Sequence, residues 1–403
     1  MSRFLWILLS VTAVMHVPVA LGVAELARRL GARSPGLVGT AWALLGLALF
    51  VGRARAGMPD RRRHGAIVRL VDLPYFVHWC AAVWTLVTTV IAVPVTLVVE
   101  GALGHGLHVP MAVFLAAYLS GLVVSAYGVL VRRRWFRVVE REVHVSGLPA
   151  AFDGLRVAHL SDLHVGTLTP RAWGLRWSHA ANALAPDVAV VTGDMVTSGA
   201  DYHDDVADVV GALRAPHGVY ASMGNHDYFG DEGPLVERLT ARGVRVLRNA
   251  GVALERGGAQ LWLAAIDDTW TRRDDIDLAL AGRPEGATTI LLAHDPQRFD
   301  QAADAGAALV LSGHTHGGQV AVPFAARSLN PARLGYPYSL GFYRRGRSTL
   351  YVHPGLGTTG PPIRLGAAPE VTLLVLRAGE RPARQSASGA ETHSRRASGT
   401  SDR

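Results

Sequence analysis

Four long apolar stretches dominate the first 140 residues, at about 4–23, 36–52, 77–99 and 111–131, and none contains Asp, Glu or Arg. Each reaches or approaches the roughly 20 residues that a helix needs to cross a bilayer core. One such run could be a buried helix of a soluble bundle. Four in succession, rimmed by arginines, read instead as an all-α transmembrane region over residues 1–137. The first run, preceded by Arg3, has the make-up of a signal peptide, but the three runs behind it favour an anchor. In the fourth run Ala117, Gly121 and Ser125 recur four apart, a spacing that lets helices approach closely. Residues 67–77, with Arg69 and Asp72, are read as lying along the interface.

Charge sorts the chain further. All 40 basic residues are Arg, and the formal net charge is +8. Residues 1–140 carry 14 Arg against 5 acids, residues 141–378 carry 21 against 24, and residues 379–403 carry 5 against 3. The basic balance therefore belongs to the apolar region and the tail. The middle, at net −3 and without an Arg/aromatic stripe, argues against nucleic acid as a partner. Eleven arginines flank the runs on the side shared by Arg3, Arg53 and Arg132, against three on the other side. That bias places both termini and the following domain in the cytoplasm of a multi-pass cell-membrane protein. Charged residues are missing from the run interiors, where His16 and His78 are the ionisable exceptions; this argues against an ion-coupled transporter. The single cysteine, Cys80, excludes intrachain disulfides and Cys-based zinc sites.

From about residue 138 the pattern changes to short β-branched and aliphatic runs alternating with amphipathic stretches. Strands are expected at 138–145, 155–160, 187–192, 219–223, 260–266, 289–293, 308–312, 349–353 and 371–376. Helices are expected at 170–184, 203–213, 233–242, 274–280 and 297–305. Such alternation argues for an α/β domain over 138–378, with helices covering sheets. The Ser/Arg/Gly-rich stretch 379–403 is expected to be a disordered tail.

Five polar motifs fall just after expected strands: Asp162 with His164; Asp194 in Thr-Gly-Asp; Asn225, His226 and Asp227 in Gly-Asn-His-Asp; His294; and His314 with His316 in Gly-His-Thr-His-Gly-Gly-Gln. Strand ends are where open α/β folds place their sites. Residues i and i+2 share a strand face, so Asp162 with His164, and His314 with His316, are expected to aim at common points. Carboxylate, imidazole and amide oxygen without thiolate suit divalent ions such as Mn, Fe or Zn. Each motif alone is a common loop, cap or surface feature; five in order at strand ends are not. His159, His179, His203, His217 and His353 fall outside the pattern and are read as structural or exposed; Asp267 and Asp268, after an expected strand, are read as turn residues, with a place at the pocket's border as the alternative.

In this order the residues resemble the calcineurin-like metallophosphoesterase family, whose pattern is D-x-H, GD, GNH[DE], a lone H, then GHxH. Ser-Asp-Leu-His-Val-Gly from Ser161, Gly-His-Thr-His-Gly-Gly-Gln from Gly313 and Pro-Gly-Leu-Gly-Thr-Thr-Gly from Pro354 are similar to its bacterial membrane-associated branch. His353, just before Pro354, departs from the wording expected there. The resemblance covers about residues 141–378 and implies a two-sheet sandwich flanked by helices and a dinuclear phosphoric ester hydrolase. It implies one divalent metal ion held by Asp162, His164 and His316, a second held by Asn225, His294 and His314, and Asp194 bridging both. It further implies that His226 sits beside the substrate phosphate as electrophile or leaving-group acid, with Asp227 orienting it.

Few residues separate the fourth run from the first expected strand, so the site is expected near the membrane face. The expected substrate is a phosphate ester in the lipid bilayer, a lipid-linked phosphodiester or pyrophosphate. The alternative is a non-catalytic membrane scaffold or sensor with a phosphoesterase-like domain; such a protein would be expected to lose ligands, and all seven are present.

Overall fold

The computed structural model of the chain describes residues 3–56, 60–103 and 109–379, so the tail expected at 379–403 lies almost wholly outside the described residues. Contacts divide the chain into two units, one of apolar helices and one of sheets, and Asp60 and Arg62 belong to the second.

The helical unit contains four segments long and apolar enough to cross a membrane: Trp6–Arg29, Pro35–Arg55, Gly65–Thr96 and Val113–Arg134. Large apolar side chains such as Ile7, Leu21, Leu44, Ile91 and Val123 face outward, the arrangement of helices solvated by lipid. Gly121 faces a neighbouring helix so closely that a Cβ would lie 3.1 Å from Ala81 O. The small-residue spacing of the fourth run thus serves helix contact. Residues 67–77 are not set apart from the third apolar run. Helix Gly65–Ile67 continues through a π-helical turn, Val68–Asp72, into helix Leu73–Leu103. Asp72, one of the charges that marked the segment as interfacial, is buried and ion-paired to Arg63 at 2.9 Å.

The second unit contains two six-stranded sheets. One runs β1 (Arg137–Val145), β12 (Glu370–Ala378), β2 (Arg156–Leu160), β3 (Val188–Thr192), β4 (Val219–Ser222), β5 (Val244–Val246). The other runs β10 (Gly341–Arg345), β11 (Ser348–Val352), β9 (Ala307–Ser312), β8 (Thr288–Leu292), β7 (Ala259–Ala265), β6 (Ala250–Arg256). Strands β2, β3 and β4 are mutually parallel, as are β7, β8, β9 and β11.

Side-chain alternation builds the layers. Val157, Val188, Val190, Ile290, Leu292, Leu309 and Leu311 meet in one core between the sheets. Their neighbours Ala158, Ala189 and Val191 face helices Arg171–Asn182, His203–Val210 and Glu232–Ala241, through Trp177, Val206 and Leu235. Leu291 and Val310 face helices Ile276–Leu280 and Phe299–Asp304, through Ala279 and Phe299. Helix covers sheet, sheet covers sheet, and sheet covers helix, which is the α/β sandwich flanked by helices that the sequence implies. Buried on both faces, the central strands read as nearly unbroken apolar runs. Strands β5, β6 and β10 were not expected from the sequence.

Candidate metal centre

The backbone ladder between β2 and β3 continues past both strands. Asp162 N donates to Gly193 O at 3.1 Å and His164 N to Asp194 O at 3.0 Å. On the other sheet, Gly313 N donates to His294 O at 3.0 Å, and His314 N reaches across to Asp162 Oδ1 at 2.9 Å. Loops from both sheets are thereby tied into one floor. β2 ends at Leu160 and β9 at Ser312, so the paired residues lie beyond the strands. Asp162, His164, Asp194, His314 and His316 all have φ between 45° and 69°, five of the ten described non-glycine residues with positive φ. Convergence therefore comes from left-handed turns and not, as strand alternation implied, from extended backbone. Each such residue costs about 1–3 kcal/mol of backbone strain, which persists only where the surroundings enforce it.

The side chains form two groups with a shared member. Ligand atoms of Asp162, His164, Asp194 and His316 lie within 4.8 Å of one another, as do those of Asp194, His294 and His314. His164 Nε2 is 3.0 Å from His316 Nε2, and His316 Nε2 is 3.3 Å from Asp162 Oδ1. Asp194 Oδ2 is 3.6 Å from His164 Nε2 and 3.3 Å from His294 Nε2, and His294 Nε2 is 3.2 Å from His314 Nδ1. Asn225 is buried and its Oδ1 has no hydrogen-bond partner; the same holds for Asp162 Oδ2 and His164 Nδ1. A Cβ on Gly224 would overlap Asp194 Oδ1, and one on Gly313 would overlap Asp162 Oδ2, so both positions leave the carboxylates room that only glycine gives.

Burial and neighbouring charge set the protonation states. Burial pushes Asp162 up to about 6. Burial would raise Asp194 too, but the imidazoles of His294 and His226 hold it well below the carboxylate range. Burial, then His226 for one and His164 for the other, drives His164 and His316 well below ordinary imidazole values; burial and His294 lower His314 to about 4. These rings stay neutral, the form that ligates metal. Burial opposes charge on His294 as well, but Asp194 outweighs it and raises His294 to about 10. A metal ion there would displace that proton. Orphaned buried donors, neutral imidazoles, an ionised central carboxylate and the absence of thiolate together fit divalent cations.

His226 is half-buried beside the cluster, its ring 4.6 Å from that of His164. Its Nδ1 donates to Thr197 O at 2.6 Å, its backbone N donates to Asp194 Oδ1 at 2.9 Å, and Thr359 Oγ1 is 3.3 Å from its Nε2. The orienting group is thus the Thr197 carbonyl. Asp227, expected to orient this ring, instead accepts from the backbone N–H groups of Gly224, Met195 and Val196. It reaches His226 only through the loops, because its carboxylate is consumed in closing them. Burial, then Asp194, raises Asp227 to about 7.

Three further residues support the cluster. Buried Arg364 donates to His316 O at 2.9 Å and to Pro354 O at 2.6 Å, fixing the second histidine of the His-x-His pair. Tyr336 OH lies 2.7 Å from His314 Nε2. Asp60 accepts from Thr167 N at 2.9 Å and Thr167 Oγ1 at 2.7 Å, while its own N donates to Ser198 Oγ at 2.9 Å. No local pattern marks any of them. Of the histidines read as structural, His159 is buried 2.8 Å from Thr192 Oγ1, with its ring 4.8 Å from that of His353. Asp268 accepts from Trp270 N and Thr271 N as a turn residue does, whereas Asp267 pairs with Arg248 at 2.8 Å.

Fold and site together define a metallophosphoesterase domain, a two-sheet α/β sandwich with a carboxylate–imidazole cluster at its strand ends. The profile of the calcineurin-like phosphoesterase family matches residues 155–318. The chain is 33% identical over 243 residues to the uncharacterized metallophosphoesterase YkuE of Bacillus subtilis, covering 59% of this chain and 84% of that protein. It belongs to the calcineurin-like metallophosphoesterase family. It is also 35% identical over 275 residues to a zebrafish transmembrane protein with metallophosphoesterase domain, and 34% identical over 280 residues to a cattle protein of the same name. Each of those matches covers 65% of this chain and 62% of the vertebrate protein. The likeness therefore extends beyond the bacterial branch whose wording the sequence resembles.

Proposed function

We propose that the chain is a metal-dependent phosphoester hydrolase acting at a membrane face, with residues 138–378 as its catalytic domain on the cytoplasmic side. The observation that carries this reading is the pair of ligand groups sharing Asp194. Asp162, His164 and His316 would hold one divalent ion, Asn225, His294 and His314 the other, and Asp194 would bridge them. Bound divalent ions supply Lewis-acid polarisation of a phosphoryl group and acidify water. The chain's own residues do the rest. The Thr197 carbonyl fixes the proton of His226 on Nδ1, which leaves Nε2 facing Thr359 and able to hold or pass a proton at a leaving oxygen. Asp227 keeps the loops of Asp194 and Asn225 closed. A scaffold without catalysis would have no use for five strained ligand residues. The substrate we favour is a lipid-linked phosphodiester or pyrophosphate, because the same chain carries four segments able to span a bilayer.

The test is hydrolysis of an aryl phosphodiester with Mn, Fe or Zn, comparing wild type with Asp194→Ala and measuring bound metal in both. The variant is expected to lose metal and more than about a hundredfold in turnover. Equal rates in the two proteins would refute the assignment. Phospholipid and nucleotide-lipid panels then test the substrate; activity on soluble nucleotides alone would remove the lipid part.

A further inference from the structure

Just past the His-x-His pair, the segment 320–334 exposes five large apolar side chains: Val320, Val322, Phe324, Leu329 and Leu334. Phe324 is 110% exposed and Leu334 94%. Folded surfaces rarely concentrate apolar groups in this way without a partner. The exposure is held in place by the loop's own bonds. Val322 N donates to Leu329 O at 3.0 Å, Leu329 N to Ala325 O at 2.7 Å, and Asn330 Nδ2 to Ala326 O at 2.6 Å. Phe324 sits at the tip with φ 65°, strained for a bulky residue. Among the described residues, nothing packs over Phe324 to reward that placement.

Charge says what covers the loop. Residues 141–304 hold 23 acids against 14 arginines, but residues 305–369 hold six arginines and no acid. Of those six, Arg364 is buried and Arg345 is paired to Asp300 and Asp304. Arg327 and Arg333 are exposed among the apolar side chains, and neither forms an ion pair among the described residues. Arg327 lies over the Tyr343 ring and donates to Phe342 O, and Arg333 donates to Arg327 O, so neither meets a carboxylate. Apolar tips interspersed with guanidinium groups that have no acidic partner complement an anionic lipid surface, where apolar side chains enter the headgroup–acyl boundary and arginines meet phosphates. The loop also adjoins the site: Tyr336, two residues beyond Leu334, touches His314, and the half-exposed Trp270 ring lies 6.0 Å from His314.

We propose that segment 320–334 is an interfacial docking loop, which seats Phe324 and Leu334 in an anionic phospholipid bilayer and presents headgroup phosphates to the His314 side of the site. The proposal rests on the phosphoesterase reading above for its purpose, but not for its test. Cys80 is the only cysteine. In a Cys80→Ser background of the full chain in proteoliposomes, Phe324→Cys carries a polarity-sensitive fluorophore, and Glu255→Cys, exposed on a distant hairpin, serves as control. The Phe324 label is expected to shift to the blue in vesicles containing phosphatidylglycerol and to be quenched by brominated acyl chains, while the control label reports water. A water-like, unquenched Phe324 label overturns docking. So does a shift that grows with protein density, since the loop would then be meeting a second copy. The double variant Phe324→Ser/Leu334→Ser is expected to lose about tenfold or more in turnover of a vesicle-embedded phosphodiester and nothing on a soluble aryl diester. Equal losses on both substrates would make the loop part of the catalytic scaffold and overturn the proposal. Wild type active on the soluble diester alone would sink the lipid substrate, and the fluorophore would still decide docking.

Discussion

Two groups of buried or half-buried imidazoles can be compared, one among the apolar helices and one at the strand ends. Among the helices, His16 Nδ1 lies 2.7 Å from Thr12 O, His16 Nε2 lies 3.2 Å from His78 Nε2, and His78 Nδ1 lies 2.8 Å from Tyr118 OH. Every ring nitrogen there has a partner, no carboxylate joins the chain among the described residues, and the backbone is ordinary helix. At the strand ends, two carboxylates sit among four imidazoles, Asp162 Oδ2, His164 Nδ1 and Asn225 Oδ1 lack partners, and five residues occupy left-handed turns. Clustered histidines alone therefore say little. A satisfied chain is what an apolar medium demands of any polar side chain. An unsatisfied and strained cluster needs something else to justify it, and a cation is what its donors fit.

That contrast is sharpened most by separating ligands from proton carriers within the strand-end group. His226→Ala is expected to lower turnover by about 10²- to 10⁴-fold, the range for a removed general acid or base. Bound metal, measured by elemental analysis, should stay at the wild-type level, whereas Asp194→Ala loses both. Loss of metal from the His226 variant would add His226 to the ligand set and blur the division.

A smaller effect is expected at Asp60, far from the site in sequence. Its carboxylate holds Thr167 and its backbone holds Ser198. The residue before Ser198, Thr197, donates through Oγ1 to His164 O at 2.8 Å, and its carbonyl accepts from His226 Nδ1. Asp60→Ala leaves the Thr167 N–H without its acceptor and frees the loop that aims His226. Turnover is expected to fall about tenfold with KM unchanged, together with a shifted limb of the pH–rate profile; Asp60→Asn, which keeps one acceptor oxygen, should recover most of it. A pure stability role would lower yield and leave the pH profile alone.

Much of this was legible in the sequence, for definable reasons. The central strands bury both faces, so their apolar runs stand out. Three of the four sheet edges, β5, β6 and β10, did not. Edge strands face water and carry charges such as Arg245, Glu255, Arg256, Arg344 and Arg345, which guard against stray pairing and erase the strand pattern. All seven ligand candidates were readable because each sits in a short motif just past a strand. How they converge was not legible, since alternation along β2 and β9 stops before Asp162 and His314. Arg364, Tyr336 and Asp60 were invisible because their partners are distant in sequence, and an isolated Arg, Tyr or Asp in a loop has no signature of its own.

The comparison is tested at its other end by removing the imidazoles of the helical group. His16→Leu with His78→Leu is expected to leave bound metal and aryl-diester turnover at wild-type levels, since neither residue belongs to a ligand group. Only stability should respond. The change deletes the hydrogen bonds of both rings but leaves Tyr118 OH without its His78 partner, at a cost of about 1–3 kcal/mol. Adding Tyr118→Phe should recover part of that loss, because the last unpaired polar atom goes with it. Thermal unfolding of the three proteins in detergent measures this order. A drop in bound metal or turnover in the double variant would mean that a satisfied histidine chain can serve the chemistry after all.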